Sequence, residues 1–289
     1  ENFQEIQRDT HVTQADHLLP SVFAFSFSNP KSVLAKHVLE RWDRTASRDS
    51  AGALIFTIFL VELNRILAGA TLKSTLPVYL ALSTPLYSAV DGALEKGSAP
   101  RLLAAAGFAS GGLGAACEEA LARSFDVATE ACGKNPARWQ LGKLHTYLFA
   151  YSGAKSHAAR WLLNRGPYPA PGTSTTVNVS MMNPANARPR GGSVITGAGP
   201  IRRLLERRQA EYRTVAAPSM RFTASLADPD RTFIMAPMGQ SGRPGNRHYD
   251  DMIQKWIECE VVPLPLSRRG AESVARERFT LHADSASAR

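Results

Sequence analysis

The chain has 289 residues, 44% of them apolar and 20% charged, enough for a sizeable core and far from a disordered polymer. Lys plus Arg outnumber Asp plus Glu by 34 to 25, a net charge of +9. The excess is mostly Arg, spread over the C-terminal half without interleaved aromatics, so no nucleic-acid partner is expected.

The N-terminal stretch ENFQEIQRDTHVTQADHLLP reads as one periodic helix, with Phe3, Ile6, Ala15, Leu18 and Leu19 on its apolar stripe. A chain opening inside such an element is expected to be one part of a longer protein. AGALIFTIFLVELNRIL (51–67) is the most apolar run. Glu62, Asn64 and Arg65 interrupt it, which makes it a core helix rather than a membrane span. CEEALARSFDVATEACG (117–133) is an amphipathic helix closing on Gly133. Cys117 and Cys132 on that helix lie about 22 Å apart, beyond disulfide reach. With Cys259 they show no CxxC or Cys/His ligand spacing, so no zinc site is expected.

Past residue 165 the texture changes. A Pro- and Gly-rich stretch leads into a β-branched run at 173–179, a strand candidate, followed by an exposed loop at 183–193. IRRLLERRQAEYR (201–213) is a basic amphipathic helix with Ile201, Leu204 and Leu205 facing inward. Two strands, 219–227 and 231–238, form a hairpin around Asp228, Pro229 and Asp230. A helix over 249–258 is expected to start just after His248, and the tail from His282 is polar. Helices come first and strands later, an α+β layout. We divide it at residue 165 into a mainly helical part (1–165) and a strand-rich part (166–289) of one continuous domain.

Candidate chemistry is sparse. Gly239-Gln240-Ser241-Gly242 lacks the second glycine of a nucleophile elbow, and no helix follows, so Ser241 reads as a turn residue. His248, Asp250 and Asp251 do not converge on a metal; the two carboxylates suit the first turn of the helix after them. His145, among Leu144, Tyr147 and Phe149, reads as a packed, hydrogen-bonded histidine. No phosphate loop, HExxH or pair of carboxylates in an obvious cleft is present.

Six segments in order nevertheless resemble the end of the β-chain of the penicillin amidase family of N-terminal nucleophile hydrolases. They are FQEIQRDTHVTQADHLLP (3–20), Trp42-Asp43 with DSAGALIF (49–56), WQLGKLH (139–145), NRGPYPAPGTSTTVN (164–178), PSMRFTASLADPDR (218–231) and GQSG…HYDD (239–251). The resemblance covers nearly the whole chain. It places His145, Asn164, Arg165, Asn178, Gln240, Ser241, His248 and Asp250 in family motifs with structural roles.

The resemblance implies an αββα sandwich completed by the strands of this chain, and hydrolysis of a linear amide, such as a β-lactam side chain or an acyl-homoserine lactone. The family nucleophile is a serine freed at the β-chain N-terminus, with its own amine as base. An Asn side chain and a backbone N–H hold the oxyanion. These groups are expected upstream of Glu1, leaving this segment inactive alone. In some members an acidic side chain after PSxR supports a histidine near the nucleophile. Ser225 stands at that position here and is the one second-layer candidate. No cofactor is expected in this chain, because the family calcium site lies mainly elsewhere. The remainder of the β-chain and the α-chain of the same precursor are the implied partners, and the periplasm or the exterior the implied location. A degenerate, non-catalytic member serving as a binding or structural module is the alternative.

Overall fold

A computed structural model describes residues 2–81, 85–97, 99–108, 112–184 and 211–282. The chain forms two compact units, residues 5–218 and residues 219–289 together with 1–4.

The helix expected over the first twenty residues is two helices, α1 (Asn2–Arg8) and α2 (Thr13–Phe23). Between them the backbone runs extended, with His11 bridging to Thr45, Val12 N–H donating to Arg44 C=O and Ala46 N–H to Thr10 C=O. These bonds replace the helical ladder at residues 9–12. Ala15, Leu18 and Leu19 are buried as expected, but Phe3 and Ile6 are exposed.

The larger unit is organised by α4 (Ala51–Leu72), which Ser50 caps by accepting from Ala53 N–H at 3.1 Å. Nearly every residue from Gly52 to Ala68 is buried. A helix apolar all round must be covered all round. The cover comes from α3 (Pro30–Glu40), α6 (Pro85–Glu95), α7 (Pro100–Ala105) and α8 (Gly112–Cys132). The run Ala51–Leu80 is long and apolar enough to cross a membrane, yet 89% of its apolar window is buried inside the protein. It is a core helix. Close approach is built in at Gly52, where a Cβ would lie 2.2 Å from the Trp42 ring.

The end of α8 falls where the sequence puts it, with Gly133 at φ +88°. The Glu118 carboxylate on α8 accepts from the backbone N–H groups of Ser28 and Asn29 just ahead of α3. The Trp139 indole donates to Gly133 C=O at 2.7 Å, fastening the chain as it leaves α8. Two short antiparallel sheets follow. β1 (Thr146–Phe149) pairs with β2 (Arg165–Pro169), and the excursion between them carries α9 (His157–Leu163). β3 (Met181–Met182) pairs with β4 (Thr214–Ala216).

The strand expected at 173–179 does not form. Thr173 N–H donates to Thr176 Oγ1 at 2.9 Å, Thr176 Oγ1 donates to Asn178 C=O at 2.9 Å, and Gly172 sits at φ +80°. Threonine hydroxyls that bond their own neighbours bend the backbone out of a ladder. Of the expected basic helix 201–213, residues 201–210, with Ile201, Leu204 and Leu205, lie outside the described residues; most of the 183–193 loop and of the tail lies there too.

In the smaller unit β5 (Arg221–Ala224), β6 (Thr232–Met235) and β7 (Val262–Pro263) form one antiparallel sheet in that order. The hairpin is in the expected place, with Arg221 opposite Met235 and Ala224 opposite Thr232. Asp228 works the turn, accepting from Arg231 N–H on its carbonyl and from Asp230 N–H on its carboxylate. The last two helices are α10 (Ile253–Ile257) and α11 (Arg268–Val274). Arg221 lies over the Trp256 ring, 4.6 Å from its centroid, and donates to Trp256 C=O at 2.7 Å. The described residues thus mix helix and antiparallel sheet, as the α+β reading has it.

Candidate functional site

In the larger unit His145 stands where the chain turns from the WQLGKLH segment into β1. The ring is wholly buried and its Nδ1–H donates to Tyr212 C=O at 2.7 Å. That bond fixes the tautomer and leaves Nε2 as an acceptor, 3.4 Å from the Thr214 hydroxyl. Burial pushes the imidazole pKa down to about 4, although the bond to Tyr212 works the other way. At neutral pH the ring is uncharged, and its one transferable proton is held by a carbonyl. It ties β1 to the segment entering β4.

The neighbouring motif residues act in the same way. The Asn164 carbonyl oxygen accepts from Tyr151 N–H at 2.9 Å, closing the base of the excursion. Arg165 donates to Leu162 C=O and Asn164 C=O at 2.9 and 3.0 Å. Asn178 is buried, and its N–H donates to Asp9 C=O at 2.8 Å. Gly166, at φ +106°, lets β2 approach β1: a Cβ there would lie 2.6 Å from Tyr147 C=O.

Beside this cluster lies an ionic group that sequence reading did not find. Arg65 on α4 bonds Glu62 Oε1 at 2.5 Å and Glu211 Oε2 at 3.3 Å, while Arg123 on α8 approaches Glu62 at 3.8 Å. Burial disfavours the Arg65 charge, but Tyr212, Glu62 and Glu211 together raise its pKa. Glu211 precedes Tyr212, so the core helix grips the strand segment one residue from the carbonyl that His145 uses. Only the charged residues interrupting 51–67 hinted at this. The partner is 146 positions away.

In the smaller unit MGQSGRPGNRHYDD forms a closed loop. Ser241 N–H donates to His248 C=O at 2.9 Å, and Met252 N–H to Met238 C=O at 2.9 Å. Gly239 permits this: a Cβ there would meet His248 C=O at 2.1 Å. The His248 ring is occupied on both sides. Arg247 Nε–H donates to Nε2 at 2.9 Å, and Nδ1–H donates to Asp251 Oδ2 at 2.7 Å. Ser241 Oγ instead accepts from Arg243 N–H at 3.2 Å. A serine activated by this histidine would need Nε2 facing Oγ, and Arg247 holds that nitrogen.

Asp251 is therefore spent on His248, and the helix starts later than expected, at Ile253, with Met252 at its cap and no side-chain cap bond. Asp250 lies in the turn before it, its carbonyl accepting from Ile253 N–H, so neither aspartate occupies a first helical turn. Gln240 donates to the Met252 sulfur at 3.7 Å. Ser225 serves the hairpin, its hydroxyl accepting from Asp228 N–H at 3.3 Å. Among the described residues no group of three or more His, Cys, Asp or Glu side chains could hold a metal ion.

Of the two motif clusters, that around His248 leaves neither ring nitrogen facing Ser241, and that around His145 has Nε2 beside the Thr214 hydroxyl. What they share is the order of the six segments, and a model of the penicillin amidase family matches residues 1–273. The chain belongs to the penicillin amidase family. It is similar to three proteins named acyl-homoserine lactone acylase QuiP. With that of Pseudomonas aeruginosa it shares 30% identity over 178 residues, 56% of this chain and 18% of the acylase. With those of Pseudomonas fluorescens and Pseudomonas putida it shares 26% over 166 residues, 56% of this chain and 16% or 17% of theirs. The chain thus spans less than a fifth of the length of the relatives it matches. In this penicillin amidase family member, the His145 ring is bonded to the Tyr212 carbonyl and the His248 ring to Arg247 and Asp251.

Proposed function

We propose that this chain is the C-terminal part of a penicillin-amidase-like hydrolase that cleaves a linear amide, releasing an acyl group from an amine. The observation that carries this reading is the family match over residues 1–273, with the acylase relatives agreeing on amide chemistry. The whole protein acts through an N-terminal serine supplied outside residues 1–289, with the serine's own amine as base. Acyl-homoserine lactones are the first substrate class to try, because three relatives carry that name. The strands of this chain complete the family sandwich, and the remainder of the β-chain and the α-chain are its partners. It works in the periplasm or outside the cell.

The arrangement of the motif residues supports a scaffolding share in this division of labour. His145 is neutral and carbonyl-bound, and His248 is bonded on both ring nitrogens. The second reading is a degenerate member that keeps the fold as a binding or structural module. Ser225 favours it, standing where some members carry an acid and serving the hairpin turn instead.

The test is to express the full reading frame, follow processing, and assay release of homoserine lactone and of phenylacetate from their amides. Hydrolysis that disappears with the serine at the processing junction supports the reading. Processing and hydrolysis that survive that substitution would sink it. A full-length protein that neither processes nor hydrolyses favours the module.

A further inference from the structure

The excursion between β1 and β2 turns its apolar side outward. In α9 the half-buried positions are Ala159, Arg160 and Leu163, while Ala158, Trp161 and Leu162 share a solvent-facing stripe at i, i+3 and i+4. Trp161 is 60% exposed and Leu162 59%, with Tyr151 at the base of the excursion 45% exposed. A surface helix ordinarily hides such residues. Here the geometry prevents it.

Local bonds hold the excursion in this pose. Ser156 caps α9 by accepting from Ala159 N–H at 3.1 Å, Arg160 Nε–H donates to Ala154 C=O at 3.2 Å, and Asn164 ties the far end back to Tyr151. Ala154 is buried beneath them. The apolar stripe is therefore presented on a braced element.

The sequence flanking the stripe carries charge of one sign. No Asp or Glu stands anywhere between Glu130 and Glu206, whereas Lys134, Arg138, Lys143, Lys155, Arg160 and Arg165 all fall in the first half of that interval. Lys155 and Arg160 lie inside the excursion itself, and among the described residues neither has an ion-pair partner. The positive balance of the whole chain is thus concentrated in the acid-free segment that contains the exposed Trp–Leu pair.

We propose that this excursion is a docking surface for an anionic lipid bilayer. Trp161 and Leu162 enter the headgroup layer, while Lys155 and Arg160 lie against lipid phosphates. Tryptophan favours the boundary between headgroups and hydrocarbon, and basic residues add attraction to an anionic leaflet. A single Trp–Leu pair gives weak, reversible attachment, strengthened by the basic residues and weakened by salt. An acidic protein would meet the same charge. The bilayer fits better because an exposed Trp–Leu pair beside basic residues matches a boundary of hydrocarbon and phosphate. The inference stands apart from the amide chemistry proposed above.

The test uses the full-length protein and vesicles of equal parts phosphatidylglycerol and phosphatidylcholine, with pure phosphatidylcholine as control. We expect co-sedimentation with the anionic vesicles, falling about tenfold on raising the salt to a molar or so. The double variant Trp161→Ser, Leu162→Ser should lose about tenfold in vesicle affinity with an unchanged unfolding midpoint. Lys155→Gln should weaken the preference for phosphatidylglycerol. No binding by the full-length wild type overturns the proposal. So does binding that the Trp161/Leu162 variant retains. A loss of folding stability in that variant also overturns it, because the pair would then be covered by protein.

Discussion

His145 donates its Nδ1 hydrogen to the carbonyl of Tyr212 across 2.7 Å of fully buried space. This single bond joins the motif WQLGKLH to a segment 67 residues later, and it requires the hydrogen on Nδ1.

The first prediction concerns acid. The folded protein holds this histidine at a pKa of about 4, against 6.5 when exposed, so the unfolded chain takes up the proton first as pH falls. Its contribution is complete above pH 6.5 and disappears between there and about 4, a loss of about 3 kcal/mol. His145→Asn keeps a donor toward Tyr212 but cannot titrate. Urea unfolding from pH 7 to 4 should show a flatter acid limb in the variant.

The Arg65 group gives a second prediction. Glu211→Gln leaves Arg65 paired with Glu62 alone and weakens the hold of α4 on the segment entering β4. We expect a loss of about 2 kcal/mol, below that for stripping a fully buried pair because one carboxylate remains. Thermal unfolding measures it. Hydrogen exchange at residues 212–216 should rise more than in α3.

Two glycines three positions apart give a third. A methyl group at Gly239 would collide with His248 C=O, whereas nothing lies within 4 Å of one at Gly242. Gly239→Ala should cost about 2 kcal/mol by forcing the loop open. Gly242→Ala should stay within about 0.5 kcal/mol of the parent. Equal effects at both would contradict the closed loop.

Ser241 supplies a fourth. Its hydroxyl accepts from Arg243 N–H, and His248 is engaged by Arg247 and Asp251. Ser241→Ala should therefore leave amide hydrolysis by the full-length protein within about twofold of the parent. A fluorophosphonate probe should not label Ser241.

What the sequence disclosed was local. The run 51–67 is apolar at every phase and could only be a core helix, and the Asp-Pro-Asp turn fixed a hairpin whose strands need nothing else for their register. What it concealed was set at a distance. Residues 9–12 keep a helical pattern, but the chain around Thr45 captures their backbone bonds. Thr173 and Thr176 are good strand formers individually, yet their hydroxyls close a turn. For the site, the motif order named the family while the role of each residue stayed hidden. Whether His248 faces Ser241 or Arg247 depends on a loop closure that composition does not encode.

The covering of α4 bears on how the protein is made. The helix is finished at Leu72, but α8, its main cover, ends only at Cys132, some 60 residues later on the ribosome. Through that interval a nascent chain carries a sticky apolar rod lacking its main cover, at the mercy of neighbouring polypeptides. Truncations that stop between the two helices should fall into inclusion bodies, and recombinant yield should follow chaperone supply more closely than final stability.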